Sequence, residues 1–216
     1  MLSYQQAKAF YDRMGAGQDS QAFYEDAATE ILIQQVELES ASGVFEFGCG
    51  TGRFAEKLLD TKLPASASYV GVDISPTMIG LAESRLNRFG PRAQVRLSDG
   101  SIQLADIDTT CDRIVSNYVL DLLSAEDARR FAAQAAQLLS GGGLLGLVSL
   151  THGFTPASRL LERAWTAVYH FHPMLVGGCR PISLTGVVSG PEWTIRFHER
   201  ISRYGVPSEI LVAARL

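Results

Sequence analysis

Cysteine and lysine are scarce in this chain: its 216 residues hold three of each. Cys49, Cys111 and Cys179 are an odd number, widely spaced, with no C-x-x-C pair. That argues against a disulfide framework and against a cysteine-based zinc site, and no metal is expected. Basic charge is short as well. Nineteen Lys and Arg face 23 Asp and Glu, so the net charge is −4 and no global field draws the chain onto a phosphate backbone. No nucleic-acid partner is expected on that ground. Arg85, Arg88, Arg92 and Arg96 come nearest to a basic cluster, and their spacing fits a solvated helix face. No apolar run reaches the ~18 residues of a membrane span, so no integral membrane segment is expected. Met1 to Lys8 lack the charged-then-apolar layout of a signal peptide, which makes a cytoplasmic location the expectation.

What is present is an ordinary globular composition, 46% hydrophobic and 19% charged, in a length that buries roughly 70% of its unfolded surface. Without repeats, low-complexity tracts or Pro/Gly-rich linkers, the chain reads as one domain with a helical preface. Residues from about Ser3 to Ser40 are helix-like in two pieces, broken at Gly15-Ala16-Gly17. The second piece sets Phe23, Ala27, Ile31 and Gln34 on one stripe, with Ala28, Leu32 and Val36 beside it. Then the period changes. Val44 to Phe47 is a short apolar strand that ends in a glycine cluster, and Arg53 to Leu59 follows as a helix facing a sheet.

The alternation repeats through strands at Tyr69–Val72, Val95–Leu97, Arg113–Ser116 and Leu144–Leu150. Ser75-Pro76 opens one intervening helix with a cap and a first-position proline. Ser124 with Asp127 opens another with a capping box, and Gly141-Gly142-Gly143 stops it. Such alternation predicts a parallel sheet. After Leu150 the rhythm breaks: a helix from Thr155 to about Tyr169, an irregular stretch from Pro173 to Thr185, then strands at Trp193–Ser202 and Ile210–Ala214. Gly205-Val206-Pro207 joins those two strands, so they should pair antiparallel.

Glu46-Phe47-Gly48-Cys49-Gly50-Thr51-Gly52 stands at the first strand-to-helix turn. Residues without side chains let the backbone approach a ligand there, and the next helix offers unpaired N–H groups. A dinucleotide turn requires G-x-G-x-x-G, and the third glycine's place is taken by Arg53. The acid ahead of the turn repels a pyrophosphate and suits a ligand carrying positive charge. The plainer reading is a glycine turn that merely packs strand on helix. Asp73 ends the second strand, where an acid suits a ribose diol, or is simply a solvated strand end. Asp99-Gly100 closes the third strand, either as a turn or as an acceptor for an exocyclic amine.

In this order, E-F-G-C-G-T-G, then V-G-V-D, then a strand-end D-G, the chain resembles the class I S-adenosylmethionine-dependent methyltransferases. Asn117-Tyr-Val-Leu-Asp-Leu-Leu after the fourth strand and Leu-Leu-Ser-Gly-Gly-Gly before the fifth fit the same pattern. The resemblance implies an α/β fold: a Rossmann-like, doubly wound, mostly parallel seven-stranded sheet with a C-terminal antiparallel hairpin and helices on both faces. It divides the single domain into a helical N-terminal cap (1–40), a cofactor-binding core (41–150), a substrate-side insertion (151–190) and the closing hairpin (191–216). It implies S-adenosyl-L-methionine as cofactor and S-adenosyl-L-homocysteine as product. Gly48, Cys49, Gly50 and Gly52 would meet the amino acid end, with Glu46 near its ammonium. Asp73 would hold the ribose hydroxyls, Ile74 and Met78 would lie against the adenine, Asp99 and Gly100 would contact its edge, and Asn117 would lie by the methionine part. Since such prefaces often lid the site, Tyr11 and Arg13 are candidates, Arg13 for the cofactor carboxylate. A solvated arginine is the alternative.

The resemblance has one departure. Enzymes that methylate amino groups of nucleic-acid bases carry Asn or Asp followed by Pro-Pro and an aromatic after the fourth strand, and here the run is Asn117-Tyr118-Val119-Leu120. The expected acceptor is therefore a small molecule, methylated on oxygen, nitrogen or carbon, by a monomer or homodimer. Alignment matters more than a strong catalyst for an in-line displacement, and His152, His170 and Tyr118 are the candidate catalytic groups. His170 with His172 makes an H-x-H pair, but no third metal ligand is evident. Trp165 and Phe171 are expected to line an apolar pocket. The alternatives are a lipid or quinone-precursor methyltransferase at a membrane surface, and a catalytically inactive protein that keeps the cofactor. A nicotinamide enzyme is opposed by Arg53.

Overall fold

Successive residues of the central strands point into opposite layers, and each layer is closed by its own helices. In the strand Gly43–Phe47 (β1) Val44 faces one core and Phe45 the other; in Arg113–Asn117 (β4) Val115 and Ile114 divide the same way. Period-two burial on both faces is what a sheet covered on two sides requires. The computed structural model describes residues 2–100, 104 and 111–216. Its remaining strands are Ser68–Asp73 (β2), Ala93–Leu97 (β3), Leu144–Leu150 (β5), Trp193–Arg203 (β6) and Val206–Arg215 (β7). They form one seven-stranded sheet in the order β3-β2-β1-β4-β5-β7-β6. Pairing is parallel from β3 through β5, and β7 runs antiparallel to both β5 and β6. The expected seven strands and the closing hairpin are both present.

The helices of the core are Arg53–Thr61 (α3), Pro76–Leu86 (α4), Ala125–Leu138 (α5), Pro156–Phe171 (α6) and the single turn Leu184–Val187 (α7). The preface forms two helices, Tyr4–Met14 (α1) and Ala22–Gln35 (α2), with a 3-10 segment Gly15–Gln21 at the predicted break. The α2 stripe differs from expectation by one position around the helix. Ala28, Thr29, Leu32, Ile33 and then Val36 are buried, whereas Phe23 is 61% exposed. Phe23 instead meets Tyr24 edge to face and Tyr204 at a tilt, with ring centroids 5.1 and 5.8 Å apart.

Arg113 ties α2 to the sheet. Only 6% exposed, its guanidinium donates to the carbonyls of Val36 and Glu37 and to Ser40 Oγ, at 2.8, 3.0 and 2.8 Å. Helix C-termini leave carbonyls without partners, and a buried arginine fork satisfies them here. Arg113→Ala is expected to cost about 2 kcal/mol by stranding those acceptors. An unfolding midpoint in urea that stays within error of the parent would show the fork to be dispensable. The other arginines are paired as well. Arg85 bonds Asp19 at 2.8 Å, Arg88 reaches Glu56 and Asp60, and Arg92 donates to the Pro64 carbonyl. The predicted single helix face is therefore corrected: only Arg85 lies on α4, Arg88 and Arg92 belong to the 3-10 segment Asn87–Arg92, and Arg96 is on β3.

Candidate functional site

Between β1 and β4 the strand order reverses, and the crevice at the carboxyl ends of the strands opens at that switch point, as open α/β sheets require. A cavity of about 510 Å³ lies there, bordered by Gly48 after β1, Asp73 and Ile74 after β2, Gly100 after β3, and Asn117 and Tyr118 after β4. A smaller one of about 80 Å³ continues beneath the glycine turn and shares Gln18, Gly48 and Asn117 with it. One glycine of the turn is required by both conformation and contact. Gly48 has φ 80°, and a Cβ on it would stand 2.3 Å from the Val119 methyl.

Asp73 builds the turn from the other side. Its Oδ2 accepts the Gly50 N–H at 3.0 Å and its Oδ1 the Ser75 N–H at 2.9 Å. Burial raises its carboxyl above the usual range, and these two donors work against that shift. Ser75 in turn caps α4 through the Met78 N–H and donates to Asp12 of α1 at 2.6 Å. Glu46 is 2% exposed and takes the Tyr69 hydroxyl at 2.6 Å; burial pushes its carboxyl up to about 7. Cys49 is buried beside it, and burial pushes its thiol up, so it is no nucleophile.

Asn117 lines both cavities; both polar atoms of its buried side chain lack a well-formed hydrogen bond, and the Glu46 carboxylate is the polar group that stands near its amide. Native structures rarely leave such groups without good hydrogen bonds, so an amide in that state facing a cavity marks a place for a ligand. Tyr118 takes φ 54°, a strained value for a non-glycine residue, and its hydroxyl bonds Ser208 Oγ at 2.8 Å. Tyr4, Ala7 and Tyr11 of α1 form the outer wall. Tyr4 lies flat against Gly100, where any Cβ would meet its ring at 2.0 Å, and its hydroxyl donates to the Ser98 carbonyl.

The expected residues divide. Glu46, Gly48, Cys49, Gly50, Asp73, Ile74, Gly100, Asn117 and Tyr118 border one cavity or the other. Gly52 does not: it caps α3 and lets α4 approach, since a Cβ there would stand 3.0 Å from Ala82 Cα. Met78 is wholly buried inside α4, away from both cavities, and Asp99 is exposed between Ser98 and Gly100. Arg13 is exposed and borders neither cavity.

The histidine candidates are corrected. His152 turns outward to Glu162 at 2.7 Å, and His170 bonds the Thr166 carbonyl one helical turn back. Phe171 is 79% exposed, whereas Trp165, whose indole donates to the Cys179 carbonyl, lines a separate small apolar pocket of about 20 Å³ with Leu150, Leu161 and Pro207, away from the two site cavities. Two acids were missed from the sequence: Glu25 on α2, which borders the smaller cavity, and Asp121 in the 3-10 turn Leu120–Leu122, which is wholly buried and borders neither. An aspartate inside Val-Leu-Asp-Leu-Leu carries no signal of burial by itself, since burying an acid costs free energy and a short apolar run can turn one residue outward.

Known proteins resemble the chain in its central part. A family described as "Methyltransferase domain" matches residues 44–143. An uncharacterized methyltransferase of Bacillus cytotoxicus is 32% identical over 133 residues, 62% of this chain and 58% of that protein. The carboxy-S-adenosyl-L-methionine synthase of Chromohalobacter salexigens is 30% identical over 116 residues, 54% of this chain and 43% of the other. The chain thus spans about half the length of these curated relatives. Among solved structures, the N-methyltransferase NodS of Bradyrhizobium japonicum, in complex with S-adenosyl-L-homocysteine, superposes with a TM-score of 0.64 at 19% identity, covering 88% of this chain and 86% of NodS. At that identity the likeness concerns the fold.

Proposed function

We propose that the chain is a class I S-adenosylmethionine-dependent methyltransferase that transfers a methyl group to a small-molecule acceptor and releases S-adenosyl-L-homocysteine, a reading supported by the methyltransferase-domain match over residues 44–143 and by the 32% identity to a methyltransferase relative. The observation that carries this reading is the Asn117 amide, buried beside a glycine turn at the switch point with no well-formed hydrogen bond and only the Glu46 carboxylate near it. An adenosyl amino acid suits the two joined cavities, which offer donors and acceptors at one end and an apolar wall at the other. Asp73 keeps lone pairs for ribose hydroxyls beyond those used by Gly50 and Ser75. Ile74 and the Ser98–Gly100 edge take the base, while Gly48, Gly50, Glu46 and Asn117 take the amino acid end. When bound, the cofactor supplies a methyl group on positively charged sulfur. The chain's own work is to align it and keep water out.

A second reading, a lipid or quinone-precursor acceptor met at a membrane surface, has one feature in its favour: α6 leaves Leu160, Val168 and Phe171 exposed. Among the described residues no helix is long and apolar enough to cross a membrane. Neither cavity opens on α6, so the small-molecule reading is preferred.

Calorimetric titration tests the proposal directly. Micromolar binding of S-adenosyl-L-homocysteine with no binding of NADH is expected. NADH binding in its place, or a folded sample that takes up neither, overturns it.

A further inference from the structure

Gln18 borders both cavities, yet it comes from the preface, on the 3-10 segment Gly15–Gln21 between α1 and α2. Its amide lies over the glycine turn: a Cβ on Gly50 would stand 3.1 Å from Gln18 Oε1 and 3.4 Å from Nε2. The next residue fixes that placement. Asp19 takes the Thr51 hydroxyl at 2.6 Å and the Arg85 guanidinium at 2.8 Å, and Arg85 also donates to Thr51 Oγ1 at 2.9 Å. Thr51 lies within the turn and Arg85 on α4, so this triangle clamps the 3-10 segment onto both. Held there, the Gln18 Oε1 is buried and has no hydrogen-bond partner. A buried acceptor left unpaired carries the full cost of its lost water, and at a cavity wall a ligand's donor can lift that cost.

We propose that Gln18 reads the amino acid end of the cofactor, its Oε1 accepting a hydrogen bond from the α-ammonium, so that the preface becomes part of the recognition site. The choice of donor follows by elimination. An adenosyl amino acid can donate from its adenine amine, its ribose hydroxyls and its ammonium. The amine belongs with the Ser98–Gly100 edge and the hydroxyls with Asp73, whereas Gln18 lies over the turn that seats the amino acid end. Ammonium is the donor left. Glu46 lines the smaller cavity that Gln18 shares and supplies the opposite charge, while the glutamine oxygen adds a neutral acceptor to which a charged N–H bonds strongly.

The preface residue expected at the cofactor was Arg13, for the carboxylate. Arg13 is exposed and borders neither cavity. The preface therefore reaches the ligand five residues later, with an acceptor instead of a cation, and its contact is with the other charged group of the amino acid. Gln18 is a specificity residue in this role: it favours a ligand with a free amino group over the same adenosyl ligand without one.

This inference rests on the methyltransferase reading, and its test separates the two. Calorimetry compares S-adenosyl-L-homocysteine with its deaminated analogue, in which hydrogen replaces the amino group. Gln18→Met keeps the length and the packing on Gly50 but removes the acceptor. It is expected to bind S-adenosyl-L-homocysteine about tenfold more weakly than the parent, the loss of one hydrogen bond to a charged group, and the deaminated analogue within about twofold of the parent. Gln18→Glu keeps an oxygen at the same reach and is expected to hold S-adenosyl-L-homocysteine within about threefold of the parent. Equal losses for the two ligands in Gln18→Met overturn the inference, because they give Gln18 a packing role only. So does unchanged S-adenosyl-L-homocysteine binding in Gln18→Met, or a Gln18→Glu variant as weak as Gln18→Met, which would make the amide a donor. Failure of the parent to bind S-adenosyl-L-homocysteine at all defeats the earlier reading instead.

Discussion

Asp73→Ala is expected to weaken S-adenosyl-L-homocysteine binding about a hundredfold, ~2.7 kcal/mol. Two losses combine. The carboxylate that faces the ribose hydroxyls goes, and so does the acceptor that holds the Gly50 and Ser75 N–H groups in place. With both donors unpaired, the glycine turn and the start of α4 lose the anchor they share. Asp73→Asn is expected to be nearly as damaging, because its amide NH2 must oppose one of the two N–H donors whichever way it flips. Asp73→Glu places the carboxylate one methylene too far out. Calorimetry on the three variants, with far-ultraviolet circular dichroism to confirm folding, checks the order. A loss under threefold for Asp73→Ala would move ribose recognition elsewhere.

Thermal stability of the ligand-free protein should fall as pH rises from 5 to 8, the reverse of the usual carboxylate behaviour. Glu25, Glu46 and Asp121 are each raised to about 7 by burial, while in the unfolded chain they titrate near 4. A carboxyl with a raised folded value favours folding fully below its unfolded value, and that contribution is lost as pH climbs through 7. Asp19 and Asp112 act in the opposite sense: their folded values are lowered, so their contribution is lost only below about pH 4, outside this window. If the three raised groups together withdraw about 3 kcal/mol, the midpoint drops by roughly 6–12 °C for a chain of this size. Asp121→Asn should flatten the slope. Scanning calorimetry at half-unit pH intervals measures both, and a midpoint that rises toward pH 8 would contradict the burial of these acids.

How much of this was legible in the residues depends on the range of the interaction. The glycine turn, Asp73 and the strand alternation are local patterns, and the structure places them as read. Gly52 carried the same local signal as Gly48, yet its reason is the approach of α4, a contact 30 residues away in sequence. Placing His152 one residue past β5 fixed its position but not its direction, and Glu162 one helix later turns it outward. On α2 the burial of Thr29 shifted the stripe, because its hydroxyl folds back onto the Glu25 and Asp26 carbonyls and can be buried like an apolar group. Asp121 was hidden by its neighbours: leucines on either side advertise core, and only the tertiary surroundings reveal that the acid itself is buried, beside the Cys179 thiol.

Helix α1 supplies Tyr4, Ala7 and Tyr11 to the cavity wall yet contains no buried residue. Its seating therefore depends on partly buried side chains, Phe10 against the 177–178 loop and Tyr4 against Gly100, and on two polar ties, Asp12 to Ser75 and Tyr4 to Ser98. A wall held so lightly makes site occupancy and helix docking one linked equilibrium. A ligand that touches α1 must slow its amide exchange by the factor its affinity owes to that contact, and any change that anchors α1 must tighten the ligand equally.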